Sequence, residues 1–372
     1  MSDEVKVGRV VTDLSDVDST ESAAPDKLLD ETIERSTVDF ELHGGTAYSI
    51  DKRDPRFAAW ITFLKSRRES GNPVYVKSEE GSVKEVFAPS LYSVHAIREE
   101  RGDDRHRLVV FLLPSPSARF LNPARDGFDK MRSRLEAALE SGERVLVTVD
   151  PYNDEIVDVR DSELAHDEGT SNGPVVEGEG AEVLSVTIGL ESLGLNLAPI
   201  SLRDAFSEFD FLASRPFIPF SFIKDCCAAR AHEMCELLRR RGVESGKLFI
   251  YGSGFDTAEG TLVGFHEDHP GFVASWIYHV APVVSVMLED GDESERRLMV
   301  MDPSEFNSPR FERTWIRHHQ DSGATTAHAP ANVFFRFPNG DANFDDDFSE
   351  TNEKLEKHRH DRNLLKSPRP SR

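Results

Sequence analysis

Residues 40–86 recur in residues 111–157 at a constant offset of 71 with no gap, and this duplication constrains the N-terminal half more than any other feature. The matched identities are Phe40/Phe111, Leu42/Leu113, Ala47/Ala118, Phe57/Phe128, Leu64/Leu135, Glu69/Glu140, Ser70/Ser141, Gly71/Gly142, Val74/Val145, Val76/Val147 and Val86/Val157. Each copy opens on a strand-like apolar alternation (VDFEL; VVFLL). A helix follows, with Phe57, Trp60, Ile61 and Leu64 in one copy and Phe128, Met131, Leu135 and Leu139 in the other at three-to-four spacing. Pro55 and Pro123 stand just before these helices and Ser-Gly closes each. A second strand (VYVK; VLVTV) and a third (VKEVF; IVDV) complete the unit. The pattern predicts two small β-α-β-β modules over 37–100 and 101–160. Neither contains a cysteine, and His43 and His95 stand apart from any obvious partner, so this half reads as binding, scaffolding or inhibitory.

At 372 residues the chain exceeds a single modest core and predicts two or three domains. Its net charge of −23 argues against a nucleic-acid binder, whose affinity comes from clustered Lys and Arg. The acidity is uneven. Residues 1–35 hold ten carboxylates against four basic groups, 160–182 seven against one, and 341–353 six against none. These stretches predict a disordered leader (1–36), a flexible linker (161–190) and the start of a solvated charged tail (341–372), leaving 191–340 as a further domain. No apolar run reaches membrane-spanning length, and MSDEVKVGRVVTDLSD has no signal-peptide character. The expected location is the cytoplasm, or export by a route without a classical signal. Cys226, Cys227 and Cys235 lie within ten residues, too close together to staple distant parts of a fold.

Chemistry concentrates in 191–340. In DCCAARAHEM, helical spacing sets Cys227, Ala231, Met234 and Leu238 on one inward face. The preceding RPFIPFSFIKD has no helical period, so Cys227 falls in the first helical turn, where the helix dipole is expected to lower its pKa. WIYHVAPVV reads as a strand carrying His279, and RLMVMDPS as a strand ending in Asp302 before a proline turn. A thiol, a base and an acid to fix the base's tautomer make a complete acyl-transfer set. His266-Glu267-Asp268-His269 is expected to be a solvated loop and not a metal site. His318-His319 and His358-Arg359-His360 are read the same way. Gly252-Ser253-Gly254 lacks the lysine of a phosphate loop.

CAARAHEM, WIYHVAP, MDPSEF and the later ERTW and NVFFRFP resemble, in order, the motifs of the bacterial protein-glutaminase (protein-glutamine deamidase) family across roughly 195–340. The resemblance implies an α+β fold, with a C-terminal transglutaminase/papain-like Cys-His-Asp domain behind the two small α+β modules. It implies Cys227 as nucleophile, His279 as base and Asp302 as orienting acid, with Trp276, Tyr278 and Trp315 near the substrate cleft and no metal or organic cofactor. Partners would be proteins or peptides with exposed glutamine. The first repeat copy resembles that family's inhibitory pro-region, so residues 37–160 are expected to inhibit in cis, with Ala47-Tyr48-Ser49 as the plug. Transglutaminase-like or cysteine protease activity with the same triad remains an alternative, as does a catalytically silent binding protein.

Overall fold

The offset of 71 is visible in the helices: α1 (Phe57–Ser70) and α2 (Phe128–Ser141) begin and end at equivalent positions. Gly71 and Gly142 stop them in the left-handed conformation, at φ 70° and 74°. The computed structural model describes residues 4–17, 37–102, 105–162, 195, 197–257, 259–268, 271, 273–290 and 293–366. α1 buries Phe57, Trp60, Ile61 and Leu64 as its spacing predicts. α2 buries Met131 and Leu135 but turns Ala138 inward, and Leu139 is exposed.

The first module is a five-stranded sheet in the order 4–8, 74–79, 82–87, 46–51, 37–42. The second closes into a barrel in the order 155–161, 118–121, 105–113, 89–102, 144–150. Two domain expectations are corrected here. Part of the acidic leader is structured: strand 4–8 pairs antiparallel with 74–79, Val10 bridges Leu42, and Leu14 is buried. The second unit begins at residue 89 and not at 101, because strand 89–102 pairs with both 105–113 and 144–150. Strand 4–8 stands to the first module as 89–93 stands to the second, each lying against the strand that follows the helix. Most of the expected linker, 163–190, lies outside the described residues.

The C-terminal domain places α3 (Leu202–Ala213) and α4 (Cys227–Arg240) against a sheet in the order 310–311, 293–300, 278–290, 246–251, 325–330, with 200–201 added beside 278–290. Strand 246–251 (GKLFIY) is buried at every position, and its near-continuous apolar run suits a strand covered on both faces. The short α5 (Glu312–His318) follows the edge strand.

Much of the expected solvated tail is buried instead: residues 349–366 form α6 (Ser349–Lys366), which packs against α1, α4 and strand 89–102. Lys354 Nζ donates to Ser90 Oγ at 3.0 Å and to the Leu91 carbonyl at 2.8 Å. Glu356 lies 3.4 Å from Arg67, and Arg144 pairs with Glu350 at 2.9 Å. The His360 ring stacks on Phe63 with centroids 3.8 Å apart, and its Nε2 meets the Val86 carbonyl at 3.1 Å. The Tyr152 hydroxyl donates to the Leu364 carbonyl at 3.0 Å. Buried charge is tolerable where a partner meets it. Here the partners sit far away in sequence, so local charge density pointed wrongly to water. Among the described residues, no helix is long and apolar enough to cross a membrane.

Candidate active site

His279 enters the central sheet opposite Ile250, and its side chain is 1% exposed. Its Nε2 lies 2.8 Å from Asp302 Oδ2, so Nε2–H is the donor and the carboxylate fixes the tautomer. Asp302 stands just beyond strand 293–300, where Met299-Val300 is still paired with 310–311. The Asp-Pro-Ser turn is closed by the Glu305 and Phe306 amides, which donate to the Asp302 carbonyl. Trp315 Nε1 donates to Asp302 Oδ2 at 2.9 Å, and Ser304 donates to Oδ1 from both its amide and its hydroxyl. Burial alone would favour the neutral acid. His279 and these donors outweigh it and hold Asp302 far below the usual carboxylate range. His279 is sandwiched between Trp276, 4.5 Å away and tilted by 20°, and Trp315, 5.5 Å away and tilted by 25°. Gly264 makes room for this stack, since a Cβ there would lie 2.0 Å from the Trp276 ring. His279 Nδ1 has no hydrogen-bond partner among the described residues, leaving its lone pair available.

Cys227 opens α4, which packs on the strand carrying His279. Three residues shape its approach. Cys226 adopts the left-handed region at φ 77°, and its amide donates to Asp225 Oδ1 at 2.6 Å. Arg230 Nη1 donates to the carbonyls of Phe222 at 2.9 Å and Asp225 at 2.7 Å, tying the incoming turn to the first helical turn. That contact gives the Cys-x-x-Arg spacing its structural meaning. Cys227 and Tyr278 share one apolar cluster. The expected thiolate is not the resting form. Burial pushes the Cys227 thiol up to about 12, against the opposing pull of Arg230, Tyr278 and the Ala228 amide.

Residues 114–119 of the second module lie over the site. The Tyr278 hydroxyl donates to the Pro114 carbonyl at 2.6 Å, and the Ile277 amide to the Pro116 carbonyl at 2.9 Å. Ser117 Oγ donates to the Lys224 carbonyl at 2.5 Å, and Arg119 Nη2 to Asp225 Oδ2 at 2.6 Å. Lys224 reaches back to Asp154 at 2.7 Å. Ala47-Tyr48-Ser49, the expected plug, does not lie at these contacts. Tyr48 is 2% exposed within its own module, its ring centroid 5.6 Å from that of Phe40. The offset of 71 maps those residues onto Ala118-Arg119-Phe120, so the covering segment is the equivalent stretch of the other copy. Sequence supplied the repeat but no signal for which copy faces the thiol.

Trp276, Tyr278 and Trp315 are all fully buried beneath this cover. Trp276 and Trp315 hold the imidazole, and Tyr278 donates to the covering segment. Two buried carboxyls, Asp225 and Glu305, were given no role by the sequence reading. Asp225, beside the nucleophile, is opposed by burial, yet His358 and Arg119 hold it low. Glu305 and His319 lie behind His279, and the solvated reading of His318-His319 is corrected by His319, which is 0% exposed. His358 and His360 are likewise buried, in α6. His232 is structural, its Nδ1 2.8 Å from the buried Lys247 Nζ. His279, Glu305 and His319 gather ligand atoms within 4.8 Å of one another, close enough to enclose an ion. Two of them are otherwise engaged, His279 Nε2 with Asp302 and His319 Nδ1 with the Trp315 carbonyl at 2.9 Å. In the loop expected to be solvated, Glu267 pairs with Arg310, and His269 lies outside the described residues.

The chain is similar in structure to a pro-protein-glutaminase, at 21% identity over 75% of this chain and 93% of that one, with a TM-score of 0.48. A protein-glutaminase structure matches at 26% identity over 43% of this chain and 88% of the other, with a TM-score of 0.36. That of the Chryseobacterium proteolyticum protein-glutaminase matches at 24% identity, 46% and 91% coverage, and a TM-score of 0.37. No curated protein matches the chain. Residues 202–319, which carry Cys227, His279, Asp302 and Trp315, match the family model Gln_deamidase_2, described as Glutaminase.

Proposed function

We propose that the chain is a protein-glutamine glutaminase held inactive by its second N-terminal module. The carrying observation is the tautomer of His279. With Nε2–H committed to Asp302, Nδ1 is the free base, on the strand against which the Cys227 helix packs. Once 114–119 withdraws, water and substrate enter, the desolvation that raises the thiol is relieved, and His279 Nδ1 takes the Cys227 proton. The thiolate attacks the side-chain carboxamide carbon of a glutamine. The oxyanion rests on backbone N–H groups at the start of α4, including that of Cys227. The imidazolium returns its proton to the departing nitrogen, ammonia leaves, and a thioester remains. Water, deprotonated by His279, cleaves the thioester to give glutamate and restore the thiol. Asp302 stays ionised throughout and stabilises the imidazolium.

The covering segment also suggests how substrate docks. The Ile277 amide now occupied by the Pro116 carbonyl is free to take a carbonyl from an extended substrate backbone. That favours glutamine in a polypeptide over free glutamine.

The test compares intact chain with chain cut between residues 163 and 194 and freed of its modules, each on a glutamine-rich protein. Ammonia release with the Gln-to-Glu mass change, appearing after module removal and abolished by Cys227→Ala, is the expected outcome. Crosslinked or fragmented substrate would replace the reading with transamidation or proteolysis. Ammonia release by the Cys227→Ala chain would overturn it.

A further inference from the structure

Glu305 is fully enclosed, 0% exposed, and neither of its carboxyl oxygens has a hydrogen-bond partner among the described residues. His319 Nε2, buried beside it, also has none. His319 Nδ1 lies 2.9 Å from the Trp315 carbonyl, which can only accept, so Nδ1 carries the ring proton and Nε2 presents its lone pair. That lone pair is 3.1 Å from Glu305 Oε2, an acceptor against an acceptor. Glu305 Oε2 is also 3.6 Å from His279 Nε2, and the three residues offer ligand atoms that all lie within 4.8 Å of one another. Bonds of about 2.0–2.2 Å to a tetrahedral ion set neighbouring ligand atoms roughly 3.3 Å apart, a separation that the two measured contacts bracket. The Trp315 carbonyl on the far nitrogen of His319 is the kind of outer contact that fixes a metal-binding imidazole. His318 stays outside the set, its Nε2 turned to the Phe265 carbonyl at 3.0 Å.

We propose that His279 Nε2, Glu305 and His319 Nε2 form an inhibitory site for zinc or a similar divalent transition ion, whose binding withdraws the base from Cys227. Two imidazoles and a carboxylate suit zinc and its neighbours, whereas magnesium prefers oxygen ligands and keeps its water. The ion competes with a proton. In the ion-free chain the single ring proton of His279 sits on Nε2, facing Asp302, and the lone pair is on Nδ1. An ion on Nε2 takes that proton's place, and the proton passes through solvent to Nδ1. The ring stays neutral while its two nitrogens exchange roles. A protonated Nδ1 cannot accept the thiol proton, so the nucleophile is not activated. Asp302 loses the His279 donor but keeps those of Trp315 and Ser304, so the turn that carries it stays in place. Because the ion enters at Nε2 and not at Nδ1, it needs no contact with Cys227. The His318 side chain beside Glu305 is 12% exposed, which sets the ligands one ring away from solvent.

The ligand set stands on geometry, while its effect on turnover rests on His279 as the base, so the test reads binding and turnover separately. The probe is zinc, with magnesium as the control, added to intact full-length chain purified in chelator. One equivalent of zinc should bind, and the Cys227→Ala chain should keep it. Glu305→Gln and His319→Gln should each lose it. X-ray absorption of the zinc-loaded wild type, which requires no variant to fold, should show only nitrogen and oxygen ligands at about 2.0–2.2 Å. Nitrogen NMR should show His279 Nδ1 changing from a bare to a protonated nitrogen as zinc is added, with no change on adding magnesium. In module-freed enzyme the same equivalent should lower ammonia release roughly a hundredfold, within the range a general base contributes, and a chelator should restore it. Failure to bind zinc, a sulfur ligand, or an unchanged His279 ring would overturn the proposal. So would zinc retained by both Glu305→Gln and His319→Gln, which would make it an adventitious ion only. Binding and NMR as expected with no ammonia release from any form would instead count against the glutaminase reading.

Discussion

The amide of Ile277 donates to the carbonyl of Pro116 at 2.9 Å, a backbone hydrogen bond between the strand that leads to the base and a module more than 150 residues upstream. One residue along, Tyr278 donates to the Pro114 carbonyl and shares an apolar cluster with Cys227. One short segment thus takes up a backbone donor and a tyrosine hydroxyl beside the start of the Cys227 helix.

Cys227 should therefore report the position of that segment. A thiol raised to about 12 by burial reacts slowly with an alkylating reagent at neutral pH, because the thiolate is the nucleophile. Labelling of the intact chain, read by peptide mass, should leave Cys227 unmodified. Chain freed of its modules should label there first. Equal rates in both forms would remove the covering segment as the cause.

Arg119 and Asp225 form a buried ion pair, 3% and 4% exposed, joining the second module to the C-terminal domain. Arg119→Ala leaves Asp225 without its guanidinium partner, a loss of about 3–5 kcal/mol for an interior pair. The variant is expected to release ammonia without any cut in the chain, in an amount that an intact wild type does not approach. Wild-type latency in a folded Arg119→Ala chain would show that the contact does not hold the plug.

Acid should loosen α6. Burial holds both His358 and His360 down to about 4, against an ordinary value of 6.5. Because these folded-state values are depressed, their contribution to stability is complete above about 6.5 and is lost as pH falls toward 4. Lys357 and Arg67 also oppose an added positive charge there, while Asp361 and Asp225 favour it, and burial outweighs the two acids. Chain cut between 163 and 194 should keep its modules on gel filtration near pH 7 and shed them near pH 4. Retention at both values would mean that α6 does not latch the modules through these histidines.

Trp315→Phe keeps a ring beside His279 but deletes the Nε1 donor to Asp302. A hydrogen bond to a charged, buried acceptor contributes about 1.5–3 kcal/mol, so kcat should fall roughly tenfold to a hundredfold. Gly264→Ala probes the other face of the sandwich, where the new methyl would meet the Trp276 ring at 2.0 Å. It should lower kcat by displacing that ring while leaving the Asp302 hydrogen bonds in place. Unchanged turnover in both variants would show that the stack does not orient the base.

Local pattern was enough for everything that depends on neighbours in the chain. Helix α1 and helix α2 follow from apolar spacing closed by Ser-Gly, and Cys227 at a helix start follows from a proline-broken approach. His279 and Asp302 were legible as a strand histidine and a strand-end acid, because β periodicity and the Asp-Pro turn are local properties. Tertiary structure alone decided which groups lose their water. It turned α6 from a solvated tail into a buried bridge, since the partners of Lys354, Glu356 and His360 lie in modules hundreds of residues away. It put the second copy and not the first over the thiol. It reversed the expected direction of the Cys227 shift, because a helix dipole is a feature of one segment whereas desolvation comes from whatever packs on it. Glu305 and His319 became neighbours only when the Asp-Pro-Ser turn and α5 closed on one another, and no spacing along the chain records that distance.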